Sequence, residues 1–357
     1  MIRRNGDPLT REIRFGFESS PYPWELISEL ANYVEDVGFD SFWMPDHTVG
    51  FGIKRWNALE AWTVLSAVAA KTKRVRLGTC VGDVFRHHPA SLAQMVTTCD
   101  IISSGRATVG VGIGEAMNLR PFGISMKKPV GRTREIVTLL RRLWTEDSVD
   151  HEGKYYQFKE AFLQPHPVQK PHPPIWIAAN SPMTMKMVAD LGDGWVPASM
   201  FPDEYAQGLT NIKDLAKKAG RDPEKIEPAL FTFTVIAGTR EEARKNIGLP
   251  AKIYFLTRPR IPKKLGFDVT DEFDMTFNLV MKMKNTMALL EKAKQLPDEI
   301  LDKAPVFFGT EEDIIEGIER YVKAGVQHFV VNFFVRPEML KDTLRLFAEN
   351  VIPHFKE

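Results

Sequence analysis

The sequence predicts an α/β fold, a (β/α)8 TIM barrel with insertions, from three observations. Eight short apolar runs occur along the chain, and a segment with helical spacing follows each of them. The runs are apolar throughout instead of alternating with polar residues, which is typical of parallel strands covered on both faces. Eight βα units in 357 residues fit a TIM-type barrel, whereas open doubly wound sheets rarely contain eight.

The first half of the chain contains four of these units. Its strand-like runs cover residues 13–18, 40–45, 75–81 and 107–114. Helical patterns follow at about 24–37, 58–71, 89–103 and 130–144. Gly38 ends the first helical pattern and Pro89 begins the third, because glycine adopts the conformation that ends helices and proline suits their first turn.

The second half supplies the other four strands and two departures from the repeat. Strand-like runs cover residues 174–179, 194–198, 229–237 and 328–334. A β-hairpin is expected at about 148–164, after the fourth helix. Extra helices are expected at about 247–306, between strands seven and eight, with a Met-rich run at 275–287. We therefore expect one domain over residues 1–357 with two insertions.

The composition excludes several classes of protein. Lysine and arginine total 47 and aspartate and glutamate total 46, so the net charge of +1 argues against a protein built around nucleic acid. Two cysteines cannot form a disulfide framework, which favours a reducing compartment. The sequence has neither a signal-peptide pattern nor a long apolar run. We expect a cytoplasmic enzyme with a small-molecule substrate and no nucleic-acid or membrane partner.

Candidate catalytic residues follow from the ends of the predicted strands, where barrel enzymes place their sites. Glu18 ends the first run, Asp46 and His47 follow the second, and Glu115 follows the fourth. A histidine among carboxylates can transfer a proton near neutral pH. Structural roles stay open from the residues alone, because Glu115 could cap the next helix and Glu18 could pair with a surface arginine.

Two weaker signals accompany this group, and a metal-ligand pattern is absent. The glycines of the sequence GVGIG at 110–114 lack the third glycine of a dinucleotide fingerprint, because Glu115 occupies that position. We expect them to let a flat ligand approach the strand closely. No metal-ligand spacing occurs, so no metal site is expected. A basic cluster in the long insertion is expected to be solvated, or else to bind an anionic ligand tail; its members are Arg258, Arg260, Lys263 and Lys264.

Several motifs together resemble the bacterial luciferase-like superfamily. They are FGFE at 15–18, PDH at 45–47, LGTCV at 77–81 and GRATVGVGIGE at 105–115. With FGISMKKP at 122–129, IWIAANSP at 175–182 and LGDGW at 191–195, the sequence is most similar to the coenzyme F420-dependent branch, and there to the 5,10-methylenetetrahydromethanopterin reductases. The resemblance covers nearly the whole chain and weakens at about 247–300.

The resemblance implies an oxidoreductase that transfers a hydride between F420 and an electrophilic carbon, with methylenetetrahydromethanopterin as the best single substrate. An F420-dependent alcohol or ketone oxidoreductase and an FMN-dependent monooxygenase are the alternatives within the superfamily. A barrel that binds without catalysis would be a different class, and the convergence of acids with a histidine counts against it. We also expect a homodimer or homotetramer.

The resemblance also implies residue roles. Glu18, His47 and Glu115 would manage protons, although the reductases carry aspartate in place of Glu115. Asp46 would contact the deazaflavin, and a cis peptide at Cys80–Val81 would support its ring. The other implied cofactor-binding residues are Asp83, Ile113, Gly114, Asn118, Ala178, Ala179, Asn180, Ser181 and Met183. The last of these belong to a segment whose backbone amides would bind the cofactor phosphate at a helix N-terminus.

One departure concerns the substrate. Glucose-6-phosphate dehydrogenases of this branch carry a threonine and a lysine just after strand six, where this chain has Ala198 and Phe201. An apolar pair cannot neutralise a phosphate. The sequence therefore favours a larger, partly aromatic substrate such as a pterin.

Overall fold

The computed structural model describes residues 12–50 and 58–356, and a closed barrel of parallel strands forms its centre. The barrel strands are β1 (Arg14–Glu18), β2 (Ser41–Met44), β3 (Arg76–Thr79), β4 (Ala107–Gly112), β5 (Ile175–Ile177), β6 (Gly194–Trp195), β7 (Glu227–Ile236) and β8 (His328–Phe333). Each strand pairs with the next along the chain, and β8 pairs with β1 to close the ring. The predicted (β/α)8 barrel is confirmed, and every strand-like run overlaps its strand.

Helices cover the outside of the barrel between successive strands. They are α1 (Trp24–Asp36), α2 (Ala61–Lys71), α3 (Pro89–Ile102), α4 (Pro129–Thr145), α5 (Pro182–Leu191), α6 (Pro202–Lys218), α7 (Glu311–Lys323) and α8 (Leu340–Asn350), with Ile352–Lys356 after them. Proline begins α3 to α6, and side chains of Glu60, Ser181 and Thr310 cap α2, α5 and α7. None of the described helices combines the length and the apolar composition that a membrane span requires.

Both predicted insertions are present. The strands Val149–Glu152 and Gln157–Ala161 form an antiparallel hairpin after α4. After β7 come the helices Arg240–Leu256, Arg260–Lys264, Met283–Gln295 and Glu299–Lys303, and then a short strand, Phe307–Gly309, that pairs with the end of β7. This helical insertion has an apolar cluster of its own around Phe255, which Met117 and Phe201 join from the barrel loops.

Large aromatic side chains fill the middle of the barrel. The rings of Trp43 on β2 and Trp176 on β5 stack with their centroids 4.7 Å apart, and both are fully buried. Two glycines make room for them. A Cβ on Gly16 would lie 2.5 Å from Trp43 Nε1, and a Cβ on Gly194 would lie 2.3 Å from Trp176 Cδ1. The interior is therefore a packed core and not a channel.

A polar network closes the barrel at the amino ends of the strands. Trp43 Nε1 donates to Ser41 Oγ at 2.7 Å, and Ser41 Oγ lies 2.8 Å from His328 Nε2. His328 Nδ1 lies 3.0 Å from one oxygen of Glu227, and Arg76 donates to the other at 2.7 Å. Burial lowers the pKa of His328, so its ring is neutral. The ring then donates from Nδ1 to Glu227 and accepts at Nε2 from the hydroxyl of Ser41, so that all three side chains have hydrogen-bond partners.

Candidate active site

The carboxyl ends of β1 and β8 hold the first group of polar side chains. Glu18 ends β1, and its side chain is almost completely buried. Burial raises its pKa to about 8, although a hydrogen bond from Asn332 Nδ2 favours the carboxylate. Glu18 therefore carries a proton at neutral pH and can donate it to a group bound beside it.

A second group joins the loops after β2 and β4 through one buried amide. The Oδ1 of Asn118 accepts from the backbone N–H groups of Thr48 and Val49, at 3.0 and 3.1 Å. Its Nδ2 lies 2.9 Å from His47 Nδ1 and 3.3 Å from Glu115 Oε2. Because the amide nitrogen must donate, Nδ1 is an acceptor, and a neutral His47 carries its proton on Nε2. The arrangement fixes which nitrogen of His47 can donate.

The helical insertion reaches this second group through Arg258. Its Nη2 lies 3.4 Å from Glu115 Oε1, and its guanidinium lies over the ring of Tyr254. The N–H of Ala116 also donates to the carbonyl oxygen of Met275, at 3.0 Å. The insertion thus packs directly on the loop after β4 and adds a positive charge beside Glu115.

The other members of the basic cluster are paired elsewhere. Arg260 binds Glu204 at 3.1 Å, Lys263 binds Asp271 at 2.6 Å and Lys264 binds Asp203 at 2.9 Å. Each of these cations already has a carboxylate partner. Of the four candidates for an anionic ligand tail, Arg258 is the one in contact with a predicted catalytic residue.

The loop after β3 contains the cis peptide Cys80–Val81 that the resemblance implies. Asp46 supports this loop, because its Oδ2 accepts from the N–H of Asp83 at 3.1 Å and its Oδ1 pairs with Arg86. The Asp46 carboxylate is buried and both of its oxygens are engaged. Its contact with a cofactor therefore stays a prediction, whereas its contact with the loop is direct.

The glycines around the end of β4 lie against the strand and loop that precede it. A Cβ on Gly110 would lie 2.0 Å from the carbonyl oxygen of Thr79, and one on Gly112 would lie 3.0 Å from Val81 Cγ2. Gly114 has a positive φ of 80° beside Ile113. Gly110 therefore makes room for β3, and the approach of a flat ligand to these glycines stays a prediction.

The predicted phosphate-binding segment lies between β5 and α5. Ser181 is the N-cap of α5: its Oγ accepts from Thr184 N at 3.3 Å, and its own N–H donates to Thr184 Oγ1 at 3.0 Å. Asn180 and Met183 are exposed beside it. Ala178 and Ala179 precede it and hydrogen-bond to the barrel through their backbones. An exposed helix N-terminus is compatible with a phosphate, and this role stays a prediction.

One group of described residues has the composition of a metal site. Oxygen or nitrogen atoms of Asp46, Glu60 and His87 lie within 4.8 Å of one another. Each acid already has a partner, because Arg86 pairs with Asp46 and the carboxylate of Glu60 accepts from two backbone N–H groups of α2. The positive charge of Arg86 would repel a cation, so we assign no metal here.

Sequence reasoning missed two features of the site. Asn332 is the one polar residue in the apolar run FVVNFF, which was a usable signal. An aromatic wall was also missed: the rings of Phe233 and Phe334 stack with centroids 4.1 Å apart, and Tyr254 meets Phe233 edge-on at 4.6 Å. These three rings are partly buried, at the carboxyl ends of β7 and β8 and on the insertion.

Comparisons with known proteins agree with this architecture. A family model described as luciferase-like monooxygenase matches residues 9–328. The chain is 27% identical to a phthiodiolone/phenolphthiodiolone dimycocerosates ketoreductase of Mycobacterium tuberculosis, over 96% of this chain and 97% of that protein. It is 28% identical to the 5,10-methylenetetrahydromethanopterin reductase of Archaeoglobus fulgidus, over 96% of this chain and 100% of the reductase.

Two solved structures share the fold. An F420-dependent secondary alcohol dehydrogenase in complex with an F420–acetone adduct aligns with a TM-score of 0.81 at 23% identity, over 97% of this chain and 100% of that one. The coenzyme F420-dependent tetrahydromethanopterin reductase from Methanopyrus kandleri aligns with a TM-score of 0.79 at 23% identity, with the same coverage. The resemblance inferred from the sequence motifs is confirmed: the chain belongs to the luciferase-like monooxygenase family of enzymes.

Proposed function

We propose that this enzyme is a coenzyme F420-dependent oxidoreductase that transfers a hydride between the cofactor and an electrophilic carbon. Methylenetetrahydromethanopterin is the proposed substrate. The observation that carries the proposal is Glu18, a buried acid at the end of β1 that holds its proton at neutral pH. The likeness to the Archaeoglobus reductase along the whole chain supports the same substrate.

The residues at this end of the barrel fit a flat ring with an anionic tail. Cys80 and Val81 directly follow β3, and both are partly exposed. Asp83 Oδ2 is buried without a partner among the described residues, and burial raises the pKa of this carboxyl to about 7. Such a group can donate a hydrogen bond to a carbonyl of the ring. The N-terminus of α5 is the proposed position of the phosphate.

Reduced F420, when bound, would supply the hydride and become oxidised, and the protein would supply the position of the substrate and the proton. Methylenetetrahydromethanopterin carries its one-carbon bridge between two nitrogens. A proton from Glu18 to one of them breaks that carbon–nitrogen bond, whose electron pair stays on the nitrogen. The remaining carbon is then electrophilic enough to accept the hydride. The aromatic wall of Phe233, Phe334 and Tyr254 gives the pterin ring a surface to stack on.

The alternative is an F420-dependent alcohol or ketone oxidoreductase. Glu115 favours it, since the reductases carry aspartate at this position. His47 favours it too, because a neutral ring with its proton on Nε2 can donate to a carbonyl oxygen. Two of the similar proteins are named for ketone or alcohol chemistry. An FMN-dependent monooxygenase is the third possibility, and the family description supports it.

A cofactor titration followed by a substrate comparison tests the proposal. F420 and FMN are titrated separately into the purified protein, and tight binding of F420 with weak binding of FMN is expected. Oxidation of reduced F420 is then followed with methylenetetrahydromethanopterin and with simple ketones. Tight FMN binding would contradict both F420 functions. Turnover with ketones alone would favour the alternative, and turnover with neither would contradict both substrate assignments.

We also propose that the enzyme is a cytoplasmic homodimer or homotetramer. Both cysteines are free thiols, as a reducing compartment favours. Phe162 and Val168 are exposed apolar side chains after the hairpin, and Ile101 and Ile102 are exposed at the end of α3. Light scattering at several protein concentrations measures the oligomeric state, and a monomer throughout would contradict this proposal.

A further inference from the structure

Asn332 on β8 holds the acid at the end of β1. The parallel register pairs Phe17 with Val331, so Glu18 and Asn332 are the next residues along two adjacent strands. The Nδ2 of Asn332 donates to Glu18 Oε2 at 2.5 Å, and it lies 3.2 Å from both the Glu18 carbonyl oxygen and Ser20 Oγ. The asparagine is itself 4% exposed. All three acceptors belong to the end of β1 and the residues just after it.

The two carboxyl oxygens of Glu18 have different surroundings, because Asn332 Nδ2 donates to Oε2. An amide nitrogen has only hydrogens to offer, so Oε2 is an acceptor. The carbonyl oxygen of a protonated carboxyl is a better acceptor than its hydroxyl oxygen, so this contact favours the acid proton on Oε1. The Oδ1 of Asn332 is a buried acceptor with no hydrogen-bond partner in the part of the chain that the structure describes. Buried acceptors of this kind are rare in native proteins and usually have a partner.

We propose that Asn332 is a positioning residue, which keeps the acid proton on Glu18 Oε1 and accepts at its own Oδ1 an N–H or O–H of the molecule bound in the site. This inference rests on the proposed role of Glu18 as the acid. The asparagine does not exchange a proton itself. It directs the proton of Glu18 and gives the substrate a fixed point beside it.

The other titratable groups around Glu18 do not replace this contact. Tyr22 and Cys80 both interact with Glu18, and burial together with the Glu18 charge raises the pKa of each. Both are therefore neutral at neutral pH and offer no charge to stabilise the carboxylate. The hydrogen bond from Asn332 is the interaction that opposes burial in setting the pKa of Glu18.

An infrared pH titration of the carboxyl group in the full-length protein tests the inference without any turnover. The Glu18→Gln variant identifies the Glu18 band, and a wild-type midpoint near 8 is expected. In Asn332→Leu, which removes the donor at similar volume, the midpoint should move to higher pH. An unchanged midpoint would overturn the proposal. Asn332→Ala is a second variant that removes the donor without adding a titratable group, and its expected shift has the same direction.

Kinetics supply the second readout. Asn332→Leu should lower kcat by about tenfold or more, a part of the roughly 100- to 10,000-fold that acid catalysis contributes. Combined with Glu18→Gln it should cause little further loss of kcat, because both changes remove the same proton transfer, whereas the loss of the Oδ1 contact should raise KM in either background. Additive losses of kcat would overturn the proposal. A wild-type protein without F420 turnover would contradict the proposed function, while the infrared result would still decide the role of Asn332.

Thr234→Val is the matched control. Thr234 is a buried residue on β7, on the face of the strand opposite Phe233, and its hydroxyl has no partner among the described residues. Its replacement by valine removes a polar group from the barrel wall without touching the site. The infrared midpoint and kcat should both stay at the wild-type values. A shift in this control as large as that in Asn332→Leu would mean that the readouts report general damage to the barrel, and would overturn the assignment.

Discussion

Glu18 loses its proton at different pH values in the folded and the unfolded chain. Its pKa rises from 4.5 to about 8 on folding. The unfolded chain therefore releases this proton first, and the stability that the protonated group contributes is present below pH 4.5 and lost as the pH rises through 8. Between these values the buried group disfavours the folded state increasingly.

The Glu18→Gln variant should remove this dependence. At pH 9 we expect it to be more stable than the wild type by roughly 5 kcal/mol, which follows from the size of the pKa change. At pH 4.5 the two proteins should unfold at similar urea concentrations. Urea denaturation at both pH values measures the difference in unfolding free energy between the variant and the wild type. The same difference at pH 4.5 and at pH 9 would contradict the raised pKa.

The Glu18→Gln variant should turn over slowly but still bind F420. Replacing the acid by an amide removes the proton donor, so turnover should fall by about 100-fold or more while the affinity for F420 changes little. Steady-state kinetics and a fluorescence titration check the two parts. Glu349→Gln, at an exposed position on α8, is the control and should leave both unchanged. Wild-type turnover in Glu18→Gln would remove Glu18 from the mechanism.

At Gly110 the addition of a single Cβ atom is expected to change the stability of the fold. A Cβ there would lie 2.0 Å from the carbonyl oxygen of Thr79, so Gly110→Ala should push β3 and β4 apart and destabilise the fold by about 3 kcal/mol. In Gly248→Ala the new Cβ meets nothing nearer than 4.0 Å, and the helix should gain about 0.5–1 kcal/mol. Thermal denaturation compares them, and similar losses in both would contradict the argument.

At the scale of elements, the network at the amino ends of the strands joins β2, β3, β7 and β8. Burial alone would raise the pKa of Glu227, but the hydrogen bond from His328 and the charge of Arg76 hold it well below its usual range. This pairing therefore contributes stability that is present above the unfolded pKa of 4.5 and is lost as the pH falls below it.

Glu227→Gln tests this contribution. The variant should be less stable than the wild type by about 2–3 kcal/mol at pH 7, somewhat less than for a fully buried ion pair, because 21% of this side chain is exposed. The difference should shrink as the pH is lowered from 4.5 towards 2. Urea denaturation across this range provides the comparison, and a difference that is constant with pH would contradict the electrostatic explanation.

The strand ends also show what the sequence could predict. Glu18, His47 and Glu115 follow apolar runs directly, so periodicity and the barrel rule were sufficient to place them at one end of the sheet. Arg258 could not be placed in this way. It lies 143 positions from Glu115 along the chain, and a long irregular insertion brings it there. No local pattern contains that contact.

Side-chain partners were the other limit. Asp46 pairs with Arg86, a residue whose direction depends on the short turn after β3, and no sequence pattern contains this contact. A Cβ on Gly110 would meet the carbonyl oxygen of Thr79 on β3, which the glycine pattern of β4 does not reveal either. In both cases the element was predicted correctly, whereas the contact between adjacent elements was not.

At the scale of the whole molecule, the barrel and the helical insertion have separate apolar clusters. The insertion cluster around Phe255 is the smaller of the two and lies outside the closed ring of strands. We expect residues 240–303 to open locally at a lower free energy than the barrel. The backbone amides of this segment should exchange with deuterium faster than those of β1, β2 and β8. Equal protection of the two would contradict a lower opening free energy for the insertion.

The closed ring also brings the two ends of the described chain together. β1 pairs with β8, the rings of Phe15 and Phe355 lie 5.7 Å apart, and Lys356 Nζ lies 2.9 Å from Asp40 Oδ1. Because the ring of strands is closed, the same barrel can form whichever βα unit comes first in the chain, provided that the units keep their cyclic order. A circular permutant, with residue 356 joined to residue 12 by a short linker and a new opening in the turn of the hairpin, should rebuild the same barrel and the same pair of Glu18 and Asn332.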